Sequence, residues 1–515
     1  MRHRAEVFFR WVTLLLVILG CSCARPSQGE TGKVNFLIES APVSLDPRIG
    51  TDAQSAQIDA LLFDGLLDRD ANLNLVPDLA EKWEMSGDRT YIFHLRRGVK
   101  FHDGRPLTSA DVKYTYDSVL SGTVATGKRG SFRLVDSVTA PDDWTVVFHL
   151  REPYASFPWN LVRAAMGIVP RDSGKDLSIH PIGTGPFRFV SARQDEEVVL
   201  ERNADYFEAP PSVERLDIRI VPDALTRALE LRKGSADAEL NSLTPDMVFS
   251  FQHASDIHVS EESGTMLAYV AFNFDIPILA KLEVRQALAC ATDRATLIRY
   301  LERGQARVAD SLLPPNHWAY EPAVERYEYD PARADKLLDA AGYPRGPDGV
   351  RFHLTLNTST DESTRLLAAA LQDEWRRVGV ALEVRSLEFA TFYSDISHGS
   401  FELYTLRWVG ANLDPDIFEF VFGSRKFPPE GANRGHYRNA ALDALLAAGR
   451  VETNLEKRRA IFSQVQKIVA QDLPYLNLWY LHNVSVHRSR LRNVQISPAG
   501  GYDFLRGITL QPDPR

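Results

Sequence analysis

A glycine that separates an amphipathic helix from an alternating strand is the feature that most constrains the fold of this chain. Apolar residues recur at helical spacing from Leu367 to Val378, which predicts a helix with one buried face. Gly379 ends that helix, and apolar residues then alternate over 380–384 as in a half-buried strand. Strand and helix signals alternate in this way through most of the sequence, and this order predicts α/β architecture.

Helix-end signals agree with that prediction at two further places. Asp330 and Pro331 offer an N-cap followed by a proline at the first helical position, and Gly342 lies where the apolar periodicity stops. Thr108 followed by Asp111 is similar to a helix capping box with Asp in place of the usual Glu. The sequence therefore predicts helices that begin just after Asp330 and just after Thr108.

The length of the chain indicates more than one domain. A chain of 515 residues is longer than one hydrophobic core usually supports. Two buried-strand patterns, over 268–275 and 475–481, lie beside the places where the element pattern changes. We therefore expect the chain to cross between domains near 262–269 and again near 481–487, so that the second domain is an insertion in the first.

Composition excludes several classes of function. The sequence has 59 basic and 68 acidic residues, a net charge of −9, which argues against a nucleic-acid partner held through its phosphates. It contains no GxSxG, HExxH or Walker-type loop, so we expect no enzyme and no cofactor. No spacing of Cys and His resembles a metal site, and Cys290 is expected to be a small buried residue on a helix.

The N-terminus has the features of an export signal. Basic residues precede an apolar run, 11–19, that is shorter than the about 20 residues of a membrane span. The tetrapeptide that ends at Cys21 resembles a bacterial lipobox, which implies lipid attachment to the Cys21 sulfur and a mature chain that starts there. The alternative is an ordinary signal peptide with a chance cysteine. The resemblance favours a chain in the cell envelope, anchored by lipid on the periplasmic side of a bacterial membrane.

The stretch from Leu406 to Phe420, LRWVGANLDPDIFEF, is the best candidate for a binding site. Trp408 is followed by Val409 and then by three small residues, which leave open space beside a large ring. A hydrophobic core normally fills such space, whereas a binding site leaves it to a ligand.

Several motifs in order resemble the peptide/nickel class of extracellular solute-binding proteins, known as family 5. The longest matches are LFDGLLDRDANLNLVPDLAEKWEMS, over 62–86, and TYIFHLRRGVKFHDGRPLTSADVKYTYDSVL, over 90–120. Shorter matches follow in the expected order and extend the similarity over nearly the whole chain; they are APVSLDP (41–47), GTGPFRF (183–189), ERNADYF (201–207), AFN (271–273), VRQALACATDR (284–294) and YDPARADKLLDAAGYP (329–344).

The resemblance implies a periplasmic-binding-protein-like α/β fold of type II, a two-lobed flytrap with two crossover strands and an extra subdomain in the first lobe. The expected divisions are a signal with its lipobox (1–23), a tether (24–33), lobe I (34–265) with the extra subdomain (about 75–180), lobe II (266–482) and a return to lobe I (483–515).

The resemblance also implies the function. Members of this class capture a solute between the lobes and deliver it to the permease of an ABC importer, and peptides are the leading ligand class. Nickel chelates, haem, a glycan or another small molecule remain alternatives, as does a sensory protein with the same flytrap. We expect a monomer that performs no chemistry.

One departure from the family pattern concerns the amine anchor. In peptide-binding relatives, an Asp three residues after the Trp pairs with the ammonium group of the peptide, but here that position is Ala411. Asp414 or Asp416 is the alternative anchor. The DPD sequence is equally typical of a turn followed by a helix cap, so both interpretations stay open.

Residues elsewhere in the chain are further candidates for ligand contacts, and some of them have alternative structural roles. Pro42 and Val43 offer backbone groups to a strand-like ligand, and Arg407 offers a guanidinium to a carboxylate or to solvent. Asn273, expected near the hinge, binds a ligand amide or caps the crossover strand. The predicted ligand contacts are Pro42, Val43, Asn273, Arg407, Trp408, Val409, Gly410, Ala411, Asn412 and Asp414.

Overall fold

One large mixed sheet runs through the molecule. The computed structural model describes residues 32–174, 176–409 and 414–511. Within these residues an 11-stranded sheet has the order β15-β14-β16-β12-β17-β11-β1-β10-β9-β8, with β13 paired to β17 beside that path. A four-stranded sheet, β4-β5-β7-β6, and two small strand pairs, β18-β19 and β2-β3, complete the β-structure of the described residues.

The described strands have the following bounds: β1 (Lys33–Ile38), β2 (Leu67–Arg69), β3 (Leu75–Pro77), β4 (Ala80–Ser86), β5 (Thr90–Leu95), β6 (Val135–Asp142), β7 (Thr145–Leu150), β8 (Phe187–Arg193), β9 (Glu197–Arg202), β10 (Arg215–Ile220), β11 (Ala238–Leu240), β12 (Ile257–Phe272), β13 (Ala306–Val308), β14 (Phe352–Ser359), β15 (Val380–Leu387), β16 (Leu403–Trp408), β17 (Tyr475–Arg488), β18 (Leu491–Arg492) and β19 (Thr509–Leu510).

The described α-helices are α1 (Ala53–Leu62), α2 (Ser109–Leu120), α3 (Ala224–Lys233), α4 (Pro245–Phe249), α5 (Pro277–Ala280), α6 (Leu282–Cys290), α7 (Arg294–Leu301), α8 (Pro331–Ala340), α9 (Glu362–Arg377), α10 (Phe389–Ser397), α11 (Ile417–Phe422), α12 (Ala440–Val451) and α13 (Leu455–Asp472). Short 3₁₀ helices span Gly127–Phe132, Phe157–Leu161, Asp176–Ser178 and Tyr502–Arg506.

The helix-end signals of the sequence act as predicted. The Asp330 side chain accepts a hydrogen bond from the Arg333 amide at the start of α8, and Gly342 takes the left-handed backbone conformation just beyond its end. The Asp111 carboxylate accepts from the Thr108 amide at 2.8 Å, the bond that the capping-box pattern predicts for α2. Cys290 is fully buried on α6, as expected.

The extra subdomain is built on the four-stranded sheet, with α2 packed against it. Its core is formed by apolar residues that alternate along β5 and β7, and these two strands are antiparallel neighbours. Tyr91 lies opposite Phe148, and Phe93 lies opposite Val146. The sequence FHLR occurs in both strands, at 93–96 and at 148–151, and in each its Phe and Leu face the same core.

The long strands β12 and β17 connect the two halves of the main sheet. They pair from Ile257 opposite Arg488 to Ala271 opposite Tyr475, and the register shifts after Ser263. A Cβ at Gly264 would collide with the Leu481 carbonyl oxygen, so close backbone approach requires glycine there. Apolar residues before this shift join a core with β1 and α3, and those after it join the core of the second half.

The two crossings expected from the sequence, near 262–269 and 481–487, lie on these two strands and stay predictions. The exact boundaries of lobe I, the extra subdomain and lobe II remain predictions, and the names are used below for the residue ranges given above. The signal, the lipobox with Cys21 and most of the tether lie outside the described residues. Among the residues that the structure does describe, none of the helices has the length and apolar character needed to span a bilayer.

Candidate functional site

Three parallel strands of lobe II end at one edge of the sheet. β14 pairs in parallel with both β15 and β16, and their last residues are Ser359, Leu387 and Trp408. In open α/β sheets, ligands bind in the crevice outside the carboxyl ends of the strands. Trp408 therefore lies at the edge where a ligand site is expected.

The Trp408 ring is held by other aromatic rings. It stacks on Tyr269 with ring centroids 6.2 Å apart and planes 14° apart, and Tyr269 stacks in turn on Tyr475 at 4.2 Å and 10°. Phe420 meets the Trp408 ring edge-on at 6.3 Å. Trp408 remains half-buried, and its indole N–H has no hydrogen-bond partner among the described residues. The stack fixes the orientation of a large ring that is only partly covered and whose indole N–H is buried without a partner among the described residues.

The structure describes only part of the segment that follows Trp408. Val409, next to it, is 63% exposed. Gly410, Ala411 and Asn412 lie outside the described residues, so the predictions made for them stay predictions.

Arg407 points to the other face of β16 and already has polar neighbours. Its Nη2 donates to the Ser363 hydroxyl at 2.7 Å, in the first turn of α9. Burial raises the pKa of Glu302, and the positive charge of Arg407 offsets only part of that rise. Burial also acts to raise the pKa of Asp361, but its bonds to Ser363 and Thr364 and the Arg407 charge outweigh this and lower it. A ligand carboxylate at Arg407 would compete with these two acids.

Pro42 and Val43 lie in the loop that follows β1 in lobe I. Val43 is 79% exposed and Pro42 is half-buried. β1 pairs in parallel with β10 and β11, so this loop lies at a carboxyl edge of the lobe I half of the sheet. The position agrees with a backbone contact to ligand, which remains a prediction.

Asn273 does not lie near the hinge, contrary to expectation. The antiparallel register pairs Leu267 with Trp408 and Phe272 with Leu403, so Asn273 and Trp408 lie at opposite ends of β12 and β16. The Asn273 side-chain amide donates to the Phe401 carbonyl at 2.8 Å and accepts from the Asp275 amide at 3.0 Å. These bonds tie loops together at the far end of lobe II, so we drop Asn273 from the ligand contacts.

Asp414 is fully engaged by protein groups. Arg458 donates to both of its carboxylate oxygens, at 2.7 and 2.8 Å, and the Ser156 hydroxyl donates at 2.7 Å. Burial acts to raise the pKa of Asp414, but the Arg458 charge and these bonds outweigh it and hold that pKa below its usual range. A ligand ammonium would have to displace Arg458, so the geometry argues against Asp414 as the amine anchor.

The DPD sequence forms a turn before a helix. Asp414 accepts a second, local bond from the Asp416 amide at 2.8 Å, and Asp416 occupies the N-cap position of α11 without a capping side-chain bond. The Asp416 carboxylate instead accepts from the Tyr154 hydroxyl at 3.0 Å. Burial, followed by the charges of Asp414 and Glu419, raises the pKa of Asp416 to about 6.

The sequence patterns did not indicate Arg458 and Ser156, the residues that bind Asp414. Arg458 is 1% exposed, and neither it nor Ser156 was among the candidates. One signal was present: Arg458 lies four residues before Phe462, in line with the apolar face of α13. A charged residue on an apolar helical face needs a buried partner, and here that partner is Asp414.

Comparisons with known proteins agree with this architecture. The model of the bacterial extracellular solute-binding proteins, family 5, matches residues 74–426. The heme-binding protein A of Haemophilus influenzae is 29% identical over 509 residues, which is 92% of each chain. The dipeptide-binding protein of Escherichia coli is 26% identical over 518 residues, 95% of this chain and 96% of its own.

A solved structure shows the same fold over nearly the whole chain. The structure of HbpA2 from Haemophilus parasuis superposes with a TM-score of 0.84 at 27% identity, covering 93% of this chain and all of that one. The fold is therefore the two-lobed α/β fold of periplasmic solute-binding proteins, as the resemblance implied. With the family model matched over more than half of its length, this chain belongs to the bacterial extracellular solute-binding proteins of family 5.

Proposed function

We propose that this protein captures oligopeptides, or a peptide-like solute, between its lobes and delivers them to the permease of an ABC importer. The observation that carries the proposal is Trp408, a half-buried ring oriented by the Tyr269–Tyr475 stack at the carboxyl edge of three parallel strands. A fixed aromatic surface with small residues after it suits an extended ligand whose side chains vary. The E. coli relative, a dipeptide-binding protein, supports this ligand class.

The proposed protein is a carrier and performs no chemistry. It is a monomer, anchored on the periplasmic side of a bacterial membrane by lipid on Cys21, and it requires no metal or cofactor. Pro42 and Val43 supply main-chain groups from lobe I, and Arg407, Trp408, Val409 and the small residues 410–412 supply the lobe II side of the site.

A non-peptide cargo is the second candidate, favoured because position 411 is not an acid and Asp414 is already paired. Position 411 is an alanine, and the Asp414 carboxylate is taken up by Arg458 and Ser156. One Asp416 oxygen has no hydrogen-bond partner among the described residues, so Asp416 is the acid that stays available to test as an anchor. A haem or a metal chelate needs no ammonium anchor, and the H. influenzae relative is a heme-binding protein.

Mass spectrometry of the ligand that co-purifies with the chain from residue 24 onward tests the proposal directly. We expect mild denaturation to release a ladder of short peptides of mixed sequence, because backbone contacts impose little side-chain preference. A single non-peptide species would replace the peptide proposal with the second candidate. The same protein after refolding without ligand serves as the blank.

Substitution Trp408→Ala is expected to weaken the binding of the most abundant co-purifying peptide at least about tenfold, because it removes a stacking surface. Isothermal titration measures the change, and circular dichroism verifies that the lobes stay folded. Trp144→Ala is the matched control, because Trp144 is a half-buried tryptophan on the extra subdomain that contacts Arg97. Equal affinities for Trp408→Ala and the unchanged protein would remove Trp408 from the site.

Blocking the amino terminus of the peptide is expected to change the affinity by less than about threefold. A relative with an acid at position 411 would lose a charge pair on acetylation, worth about 1.5 to 3 kcal/mol, whereas Ala411 has no such pair to lose. Titration of the free and acetylated forms of one peptide makes the comparison. A large loss on acetylation would show that another carboxylate, with Asp416 the first to test, binds the ammonium.

A further inference from the structure

The extra subdomain of lobe I reaches across to lobe II through one short segment. We name residues 152–159 the interlobe arm. Ser156, in this arm, is 3% exposed, and its hydroxyl donates to Asp414 at 2.7 Å while accepting from Arg458 Nη2 at 2.7 Å. One hydroxyl therefore completes both members of an ion pair that belongs to the other lobe.

The ion pair does not depend on the arm for its geometry. Arg458 and Asp414 both belong to lobe II and are joined by two N–H···O bonds. The Arg458 Nε donates to the Gly449 carbonyl at 3.0 Å, which fixes the guanidinium to α12 as well. The guanidinium also lies over the Phe462 ring at 5.3 Å. Lobe II thus presents a preformed polar socket that the Ser156 hydroxyl fits.

Other bonds of the arm reach the same region of lobe II. The Ala155 amide donates to the Arg450 carbonyl at 2.8 Å, and the Arg450 side chain donates to Glu152 at 2.6 Å. Tyr154 donates to Asp416 at 3.0 Å. Main-chain and side-chain bonds therefore both cross between the lobes over eight residues of arm.

The contact between the interlobe arm and lobe II is made mostly by hydrogen bonds and leaves a cavity beside it. Trp159 of the arm lies 6.3 Å from Trp318 of lobe II, and Arg458 lies behind both rings. Beside them is a cavity of about 340 Å³ that opens to solvent and is lined from both lobes, by Trp83 and Tyr91 on one side and Thr453 and Leu455 on the other. A permanent core is close-packed, whereas this contact is made by polar bonds beside an open cavity, which suits a contact that opens and re-forms.

We propose that the interlobe arm is a latch, which docks its Ser156 hydroxyl into the Arg458–Asp414 pair and holds the lobes closed without direct contact to ligand. Closure then draws free energy from the protein itself, and the bound solute supplies the remainder. The latch rests on the proposed function only in that closure traps a solute, and the contact itself is testable without any ligand.

Distance measurement between two spin labels tests the latch. Asp88→Cys on the extra subdomain and Glu456→Cys on lobe II lie on exposed surfaces either side of the contact, and Cys290 is fully buried and stays unlabelled. In the refolded, ligand-free chain from residue 24 onward, we expect a population with the short distance. Ser156→Ala removes two charge-assisted bonds and is expected to lower the closed-to-open ratio about tenfold.

Ser121→Ala is the matched control and should leave the distance distribution unchanged. Ser121 is an exposed serine of the same subdomain, and among the described hydrogen bonds its hydroxyl bonds only to the neighbouring Thr123. An unchanged distribution in Ser156→Ala would overturn the latch, and so would a ligand-free protein without any short-distance population. Failure to bind peptides, with the labels still responding to Ser156→Ala, would overturn only the proposed cargo.

The latch is expected to weaken as pH rises through about 6. Asp416 is faced by Asp414 and Glu419 from its own lobe, by Arg458 and by the Tyr154 hydroxyl, with the Arg450–Glu152 pair beyond. Burial, to which the docked arm contributes in this proposal, is the largest cause that raises the pKa of Asp416 to about 6, and it outweighs the Tyr154 bond and the Arg458 charge, which lower that pKa. The stabilisation is therefore complete when the carboxyl is protonated and is lost as it ionises. The closed population should therefore be larger at pH 5 than at pH 7.5.

Asp416→Asn separates this effect from other titrations. The amide keeps an acceptor for Tyr154 without a charge, so the variant should show the same closed population at pH 5 and pH 7.5, measured with the same label pair. A pH response equal to that of the unchanged protein would exclude Asp416 as its source.

Discussion

The pairing of β12 with β17 is the constraint on which the rest of the structure depends. These two strands lie side by side in the centre of the main sheet and contribute apolar side chains to the cores on either side of the register shift at Gly264. β11 adds to the edge of β17, and the buried Glu239 of β11 accepts from the Val486 amide at 3.0 Å. This pairing is irregular between Ser263 and Leu267 and again between Ala268 and Tyr269, and we expect relative movement of the lobes to be absorbed there.

Glu239 shows how tightly the lobe I side of that pairing is specified. Its carboxylate is fully buried and also accepts from the Ser242 amide and hydroxyl. Burial raises its pKa to about 7 in spite of these bonds. A buried acid bonded to main-chain amides on two segments penalises any shift of one against the other, because a shift would leave the carboxylate without partners.

Much of the fold follows from the sequence because local signals and packing agree. The caps at Asp330 and Thr108, and the helix that Gly379 separates from β15, depend only on residues close in the chain. The two crossings are expected from the buried-strand patterns over 268–275 and 475–481, and their positions stay predictions. Asn273 was misplaced because the direction of β12 relative to the cleft depends on the register with β16, which one sequence does not reveal.

The candidate site is less predictable for the same reason. Trp408 and the small residues after it stand out as a pattern, but the rings that orient Trp408 come from positions 269 and 475, far away in the chain. Asp414 has a neighbour in sequence that suggests a turn, yet its engagement by Arg458 and Ser156 joins three distant segments. Contacts of this kind are set by the tertiary fold, so a sequence pattern names the chemical groups without naming their partners.

The Arg458–Asp414 pair and the absence of an acid at position 411 both affect the free-energy difference between the open and closed states. A buried ion pair adds little net stability, because desolvation offsets most of the attraction, but it makes an unpaired state expensive and so specifies one geometry. A latch built on such a pair must stay weak enough for the lobes to open. Shifting a two-state equilibrium from 1:99 to 99:1 takes about 5.5 kcal/mol. Any free energy of closure that the arm supplies reduces the amount that ligand binding has to supply. With no acid at position 411, the proposed site can in this way still close on its cargo, because Ser156 contributes contacts to Asp414 and Arg458.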